Sequence, residues 1–317
     1  MSTPRCLAVM YHYVRDRSGE ESGVHGLDTE TFGAQLDLLC EVMTPIDWPA
    51  MVAWRKGHGA IPDSAFLLTF DDGLSDHAQV VLPILQERGL RGVFFVQTGV
   101  LTDGCMHAAH QIHLLLSKLG VDGLTDAVNR WLDAHAPQLQ KERGIDRDRA
   151  RMIYHYEEPA TAELKYLLTC SLPMDVRDAL LDDLFAASVG DSRAHAARWY
   201  LQWDDLSRMQ SAGHTIGAHG HRHDPYDRFS VSEQAADMAR SASILREGLG
   251  PAPRPFSYPY GVCDEDIARR CAFAGFVNGF TTERGWITAS DDAHRLCRID
   301  TIHVDAFMER EFACTLH

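Results

Sequence analysis

Short apolar runs rich in β-branched and aromatic residues recur along the chain at 6–13, 65–70, 92–97, 215–219, 255–258, 276–281 and 296–302. Turn residues bound them, and each reads as a buried strand. Between several of them the period lengthens to that of a helix. Residues 29–42 carry Phe32, Leu36 and Leu39 on one face, with Met43 just beyond. Residues 77–88 carry Val80, Val81, Ile84 and Leu85 and stop at Gly89, a C′ position. The stretch 230–250 is expected to open on a Ser232 cap and to close on Gly248, and the stretch from Asp264 to Gly275 opens on an Asp264 cap. Strands alternating with helices predict an α/β fold with a parallel sheet or barrel.

One region breaks the alternation. Residues 102–205 hold almost no strand pattern but many helical stripes, such as Val176, Leu180, Leu181, Leu184 and Phe185 in "DVRDALLDDLFAAS". The expected organisation is an α/β domain made of 1–101 and 206–317, interrupted by an α-helical insertion at 102–205.

Composition narrows the function. With 30 basic and 45 acidic residues the formal net charge is −15, which disfavours a nucleic-acid backbone or an anionic membrane as partner. The eight cysteines stand singly, with no CxxC pair, as in a reducing compartment. The start, "MSTPRCLAVMYHYVRD", lacks the charged and apolar regions of a signal peptide, and no apolar run approaches the ~20 residues of a membrane span. The expected location is cytoplasmic.

Strand C-termini are where α/β folds place their chemistry. Asp71 and Asp72 end one run in "LLTFDDG". His219 and His223 stand four apart in "IGAHGHRHD", with His221 between them, and "FSYPYG" ends another run on a Pro-Tyr-Gly turn. The first run ends near His12. Two histidines and a carboxylate form a common ligand set for a catalytic divalent metal, and a second carboxylate beside them can accept a proton. Like charges in sequence become tolerable when one of them is neutralised by coordination. Taken singly, DDG is an ordinary turn, histidine-rich loops are often only solvated, and PYG is a turn. Their joint placement after strand runs, in this order, is what carries weight.

"TFDDG", "HGHRH" and "SYPYG" resemble motifs one, two and three of the polysaccharide deacetylases, carbohydrate esterase family 4, over roughly residues 5–100 and 206–305. The resemblance implies the NodB-type fold, a distorted (β/α) barrel of about seven strands. It implies metal-dependent hydrolysis of an N-acetyl group from an amino sugar, usually with zinc and sometimes with cobalt or nickel. It implies Asp71 as general base, Asp72, His219 and His223 as metal ligands, and Tyr260 as the residue whose backbone N–H helps hold the oxyanion. His221 has no role in that pattern and is expected to be a surface or supporting residue.

The chain also departs from the family pattern. Gly220 stands where Ser or Thr is usual, so a loop-bracing hydroxyl is lost, and Ser257 stands where an arginine usually orients the base. Arg298 and Arg284 are the candidates to replace that arginine. The family's last motif is not recognisable, and His303 in its region reads as structural. These departures resemble a branch with an early YH motif and a YPYG third motif. On that pattern His12 is the general acid or the residue polarising the scissile amide, and the alternative is a core histidine bonded to backbone.

The expected substrate is an N-acetylated or N-formylated amino sugar: a nucleotide sugar, a glycan precursor or an oligosaccharide. The insertion reads as a lid or as a dimer surface that would make the chain a homo-oligomer, and the alternative is a peripheral decoration. Three rival readings are a non-catalytic sugar-binding protein on the same fold, a metal-dependent hydrolase of another amide or imide, and a scaffold protein acting through the helical insertion.

Overall fold

The computed structural model describes residues 3–16, 24, 26–142 and 144–312, so Cys314 lies outside the described residues. Eight strands form one parallel sheet: β1 Arg5–Tyr11, β2 Thr44–Pro45, β3 Ser64–Phe70, β4 Gly92–Val96, β5 Thr215–Ala218, β6 Phe256–Ser257, β7 Gly279–Phe280 and β8 Ile299–Asp300. Their order is β7-β6-β5-β4-β3-β1-β8, with β2 paired to the start of β3. Seven of the eight coincide with the apolar runs of the sequence, β1 and β3 each starting one residue earlier. The exception, β2, is two exposed residues in front of a helix, too short and too polar to leave a pattern.

The sheet curls into a distorted (β/α) barrel. The segment that follows β7 explains how. Leu296 bridges Phe280 of β7, while Ile299 and Asp300 pair with Val9 and Met10 of β1. One short run therefore touches both ends of the strand order. β1, β3 and β4 are buried along nearly their whole length, as strands covered on both faces must be. Alternate residues Cys6, Ala8, Ala65, Leu67, Val93 and Phe95 join Phe280 and Leu296 in one apolar cluster. The intervening residues form a second layer, in which Tyr11 stacks on Phe70 at 5.3 Å and meets Phe32 of the helix Thr29–Val42 edge-on at 5.1 Å.

Helix ends show where local chemistry was misread. The helix Val231–Leu249 is capped by Ser230, whose side chain accepts from the Glu233 N–H in a capping box, rather than by Ser232. The helix ends at Gly250 (φ 84°), two residues beyond the expected close at Gly248. Gly248 is an interior position whose missing Cβ leaves room for the Trp203 ring. The helix Glu265–Phe273 does open on Asp264, which accepts from the Ile267 N–H.

The chain divides into two compact units, one made of residues 1–16, 26–102 and 199–317, the other of 17–25 and 103–198. Helices are the regular secondary structure of the second unit among its described residues. Its long helix Ala108–His135 bends at Gly120, where φ is 68°. It packs on Met174–Ser188, with Gln111 donating to Asp182 (3.1 Å) and Trp131 to Asp183 (2.8 Å). Ala150, Tyr154, Ala162 and Tyr166 form an apolar cluster in this unit. No helix among the described residues is long and apolar enough to cross a membrane.

Candidate metal centre

The strand C-termini of the sheet unit converge on one group of buried polar side chains. Asp71 and Asp72 follow β3, Gln97 follows β4, His219 follows β5 and Ser257 ends β6. Along β3 every second residue faces the barrel interior, so the alternation of Ala65, Leu67 and Thr69 continues into Asp71. Asp72 breaks that alternation with φ 76°. His223 (φ 59°) and Tyr260 (φ 58°) are the other two non-glycine residues with positive φ among the described residues. All three are residues singled out from the sequence, and strained backbone of this kind persists where surrounding structure enforces it.

Asp72 Oδ1 lies 3.1 Å from His223 Nε2 and 3.6 Å from His219 Nε2, and all three side chains are buried. Their potential ligand atoms fall within 4.8 Å of one another, a spacing one ion can span with bonds of ~2.0–2.2 Å. His219 Nδ1 donates to the Ser257 carbonyl oxygen at 2.8 Å, which leaves the Nε2 lone pair facing the Asp72 carboxylate. Burial pushes His219 down to about 4, against the opposing pull of Asp71, so the ring is neutral near pH 7. Two acceptors facing each other in a buried site fit a cation between them, and N, N, O is a donor set of divalent zinc, cobalt or nickel. Gln97 Nε2 donates to Asp72 Oδ1 at 3.0 Å and holds that carboxylate from the other side.

Asp71 is held by different partners. Arg298 grips it in a fork, Nη1 to Oδ1 and Nη2 to Oδ2, both at 2.8 Å. Ser257 Oγ donates to Oδ2 at 3.0 Å and accepts from Arg298 Nη2 at 2.9 Å. The guanidinium is itself fixed by Nε donating to the Thr281 carbonyl oxygen at 2.9 Å. Burial raises the Asp71 carboxyl, but Arg298, followed by His219, more than offsets this and holds it well below the usual carboxylate range. Of the two arginines named from the sequence, Arg298 is therefore the one at Asp71. Arg284 is at the surface against His303. Ser257, read from sequence as the loss of an arginine, is a donor to the same carboxylate.

The loop carrying the histidines is braced by a residue the sequence reading passed over. Asp237 accepts from the His221 N–H (2.9 Å), the Arg222 N–H (3.1 Å) and the Tyr226 hydroxyl (2.6 Å). Gly220 has φ 74°, and the bracing expected of a hydroxyl there is supplied by Asp237 instead. The trace of this in the sequence was a carboxylate on the buried stripe Gln234, Asp237, Met238, Ser241, Leu245. His221 is a supporting residue, its Nδ1 3.0 Å from Thr98 Oγ1. His12 follows β1 at the same end of the sheet and is among the groups whose charge lowers Asp71. Its carbonyl oxygen lies 2.9 Å from His77 Nε2, so His77 is the buried histidine bonded to backbone at this point. The Tyr260 ring lies 5.4 Å from that of His223.

The polysaccharide deacetylase family model matches residues 58–134 and 185–279, more than half of the chain. The chain belongs to the polysaccharide deacetylase family. With the family comes its reaction, de-N-acetylation of a carbohydrate. The residues left between the two matched segments all fall in the helical unit of this deacetylase. Solved structures share its fold. The Streptococcus pyogenes deacetylase PplD, in complex with acetate, is 16% identical, with a TM-score of 0.59 over 94% of this chain and 93% of that one. A de-N-acetylase from Aggregatibacter actinomycetemcomitans is 16% identical (TM-score 0.56, 94% and 95% covered). IcaB from Ammonifex degensii is 17% identical (TM-score 0.56, 94% and 92% covered). No curated protein matches the chain in sequence.

Proposed function

We propose that this deacetylase is a metal-dependent hydrolase that removes an N-acetyl or N-formyl group from an amino sugar, with Asp72, His219 and His223 as the metal ligands. Zinc fits the donor set, as do cobalt and nickel. A divalent cation there supplies a Lewis acid for the attacking water and for the carbonyl oxygen.

The chain's own residues supply the remaining parts. Asp71 is ionised, buried and 3.8 Å from His219 Nε2, so it is placed to take the proton of the attacking water. Arg298 fixes the direction of that carboxylate by a two-point contact, and Ser257 occupies a further lone pair on Oδ2. Oδ2 is the oxygen that approaches His219 Nε2 and so lies nearer the ligand set. The Tyr260 N–H is assigned to the oxyanion. His12 is assigned to protonating the leaving amine, supported by its place at the same strand end.

The observation that carries this reading is the second carboxylate. A sugar-binding protein would have no use for a buried, ionised Asp71 oriented by a fully buried arginine beside a ligand set. The seven described cysteines are all free, in keeping with a reducing compartment and a small cytoplasmic substrate such as a nucleotide sugar or glycan precursor. The helical unit is proposed to set substrate size, as a lid or a dimer surface.

Metal analysis, followed by a screen for acetate or formate release from N-acylated sugars and nucleotide sugars, tests the proposal. Purified protein is expected to carry about one divalent ion per chain, and Asp72→Ala to lose it. Asp71→Asn should keep the metal and lose activity by ~10²–10⁴-fold. Full activity in Asp71→Asn would sink the mechanism.

A further inference from the structure

At the other end of the sheet, where the strands begin, lies a pocket of about 510 Å³. His214 precedes β5, Arg254 precedes β6, and Trp48 opens the helix Trp48–Arg55; all three line it. Pockets of ~300–1,000 Å³ with apolar walls and a few convergent polar groups are the usual form of small-molecule sites. Here the walls include Val52, Ile216 and Val277.

Three polar side chains on this lining share one defect. Trp48, Arg254 and His214 are each more than nine-tenths buried. The Trp48 Nε1, His214 Nε2 and Arg254 Nε atoms are covered and have no hydrogen-bond partner. All three are donors. For His214 the direction is set by its other nitrogen: the Gly92 N–H donates to Nδ1 at 3.1 Å, and burial pushes the ring down to about 4, so the single proton of the neutral ring sits on Nε2. For Arg254 the remaining donors are taken, Nη1 by the Ile216 carbonyl oxygen (3.0 Å) and Nη2 by Gln210 and the Leu249 and Gly250 carbonyl oxygens.

Buried polar atoms without partners are uncommon and costly, and each calls for an explanation. Three on one lining, all of them donors, amount to a local shortage of acceptors. Charge points the same way. The charged side chains on the lining are Lys56 and Arg254, and no carboxylate is among them, although the chain as a whole carries −15.

We propose that this pocket binds a small organic anion, a carboxylate on an apolar body, with the carboxylate oxygens accepting from Trp48 Nε1, His214 Nε2 and Arg254 Nε. The apolar body lies against Val52, Ile216 and Val277, and Lys56 stands exposed at the mouth. Because the three donors are covered, seating the anion involves side-chain adjustments of the kind common at binding sites. The site uses none of the residues assigned to deacetylation.

The experiment titrates the full chain with benzoate, hexanoate and indole-3-acetate, with benzamide as neutral control and with inorganic phosphate. Heat is read by calorimetry, and the Trp48 indole N–H by ¹H–¹⁵N spectra. At least one carboxylate is expected to bind saturably and shift the indole signal. Benzamide is expected to bind ~10-fold or more weakly than benzoate, the worth of one charge-assisted hydrogen bond. Trp48→Phe, which removes the N–H and keeps an aromatic ring, should weaken binding by a similar factor without changing deacetylase kcat. Lys56→Met, an exposed change that leaves the core intact, should weaken it several-fold. No saturable binding by any of the three carboxylates would mean that water alone meets the donors and would overturn the proposal. So would binding that leaves the indole signal and the Trp48→Phe affinity unmoved, or phosphate binding tighter than every carboxylate. Binding is read without turnover, so this result and that of the deacetylase test fail independently.

Discussion

The sheet buries an arginine at each end, and the two are held in opposite ways. Arg298, among the strand C-termini, meets the Asp71 carboxylate with two nitrogens and a carbonyl oxygen with the third. Arg254, among the strand N-termini, meets only neutral oxygens and leaves its Nε unpaired. Burial alone pulls Arg254 below its ordinary value, with no carboxylate to counter it. At one end acceptors outnumber donors around Asp72, His219 and His223, which suits a cation. At the other, donors outnumber acceptors, which suits an anion. The same fold thus carries two sites of opposite demand, and the sign of each can be read from which hydrogen bonds are missing.

The largest expected effect comes from removing Arg298. Arg298→Ala leaves Asp71 as a buried charge without its main partner, a change that typically costs ~3–5 kcal/mol. Urea unfolding should register that loss. Adding Asp71→Asn to the same chain should recover a large part of it, because the penalty lies in the unpaired charge rather than in lost packing. Arg254→Ala should also destabilise, but no carboxylate substitution exists that could rescue it. If the double variant is no more stable than Arg298→Ala alone, the contrast between the two arginines fails.

Acid should sharpen the same contrast. The Asp71 carboxyl titrates below its unfolded value of ~3.9, so its contribution is present above that pH and is lost as pH falls from there toward the lower folded value. Wild type is therefore expected to lose stability below about pH 4 more steeply than Asp71→Asn, both measured without added metal. Parallel curves would show that Asp71 is not held ionised by Arg298.

Legibility followed the range of the interactions. The strands were readable because β1, β3 and β4 are continuous apolar runs, and Asp71, Asp72, His219 and His223 because each stands immediately beyond a run or four residues from one that does. The partner of Asp71 was harder. Arg298 lies 227 residues away and reaches the carboxylate only because the segment from Leu296 to Asp300 closes the barrel. Nothing near it in sequence records that closure. Ser257 looked like a missing charge because the position was compared with an arginine, whereas its hydroxyl and its carbonyl oxygen serve Asp71 and His219 separately. Asp237 was hidden among the residues of an amphipathic helix, and the cap at Ser230 rather than Ser232 was decided by the reach of Glu233. The misreadings thus concern polar side chains whose partners are set by packing, not by spacing.

The smallest expected effect isolates that division of labour within one residue. Ser257→Ala removes the hydroxyl from Asp71 and Arg298 but keeps the carbonyl oxygen that receives His219 Nδ1. Metal content should therefore be unchanged. Stability should fall by about 1.5–3 kcal/mol at most, the range for a hydrogen bond to a charged group. With Arg298 still gripping both carboxylate oxygens, kcat should fall only several-fold while KM stays level, because the change bears on the direction of the base and not on substrate contacts. Ser257→Thr, which restores the hydroxyl, should recover most of the loss in kcat. A Ser257→Ala variant that sheds its metal would show that the hydroxyl, and not the carbonyl oxygen, keeps His219 in place.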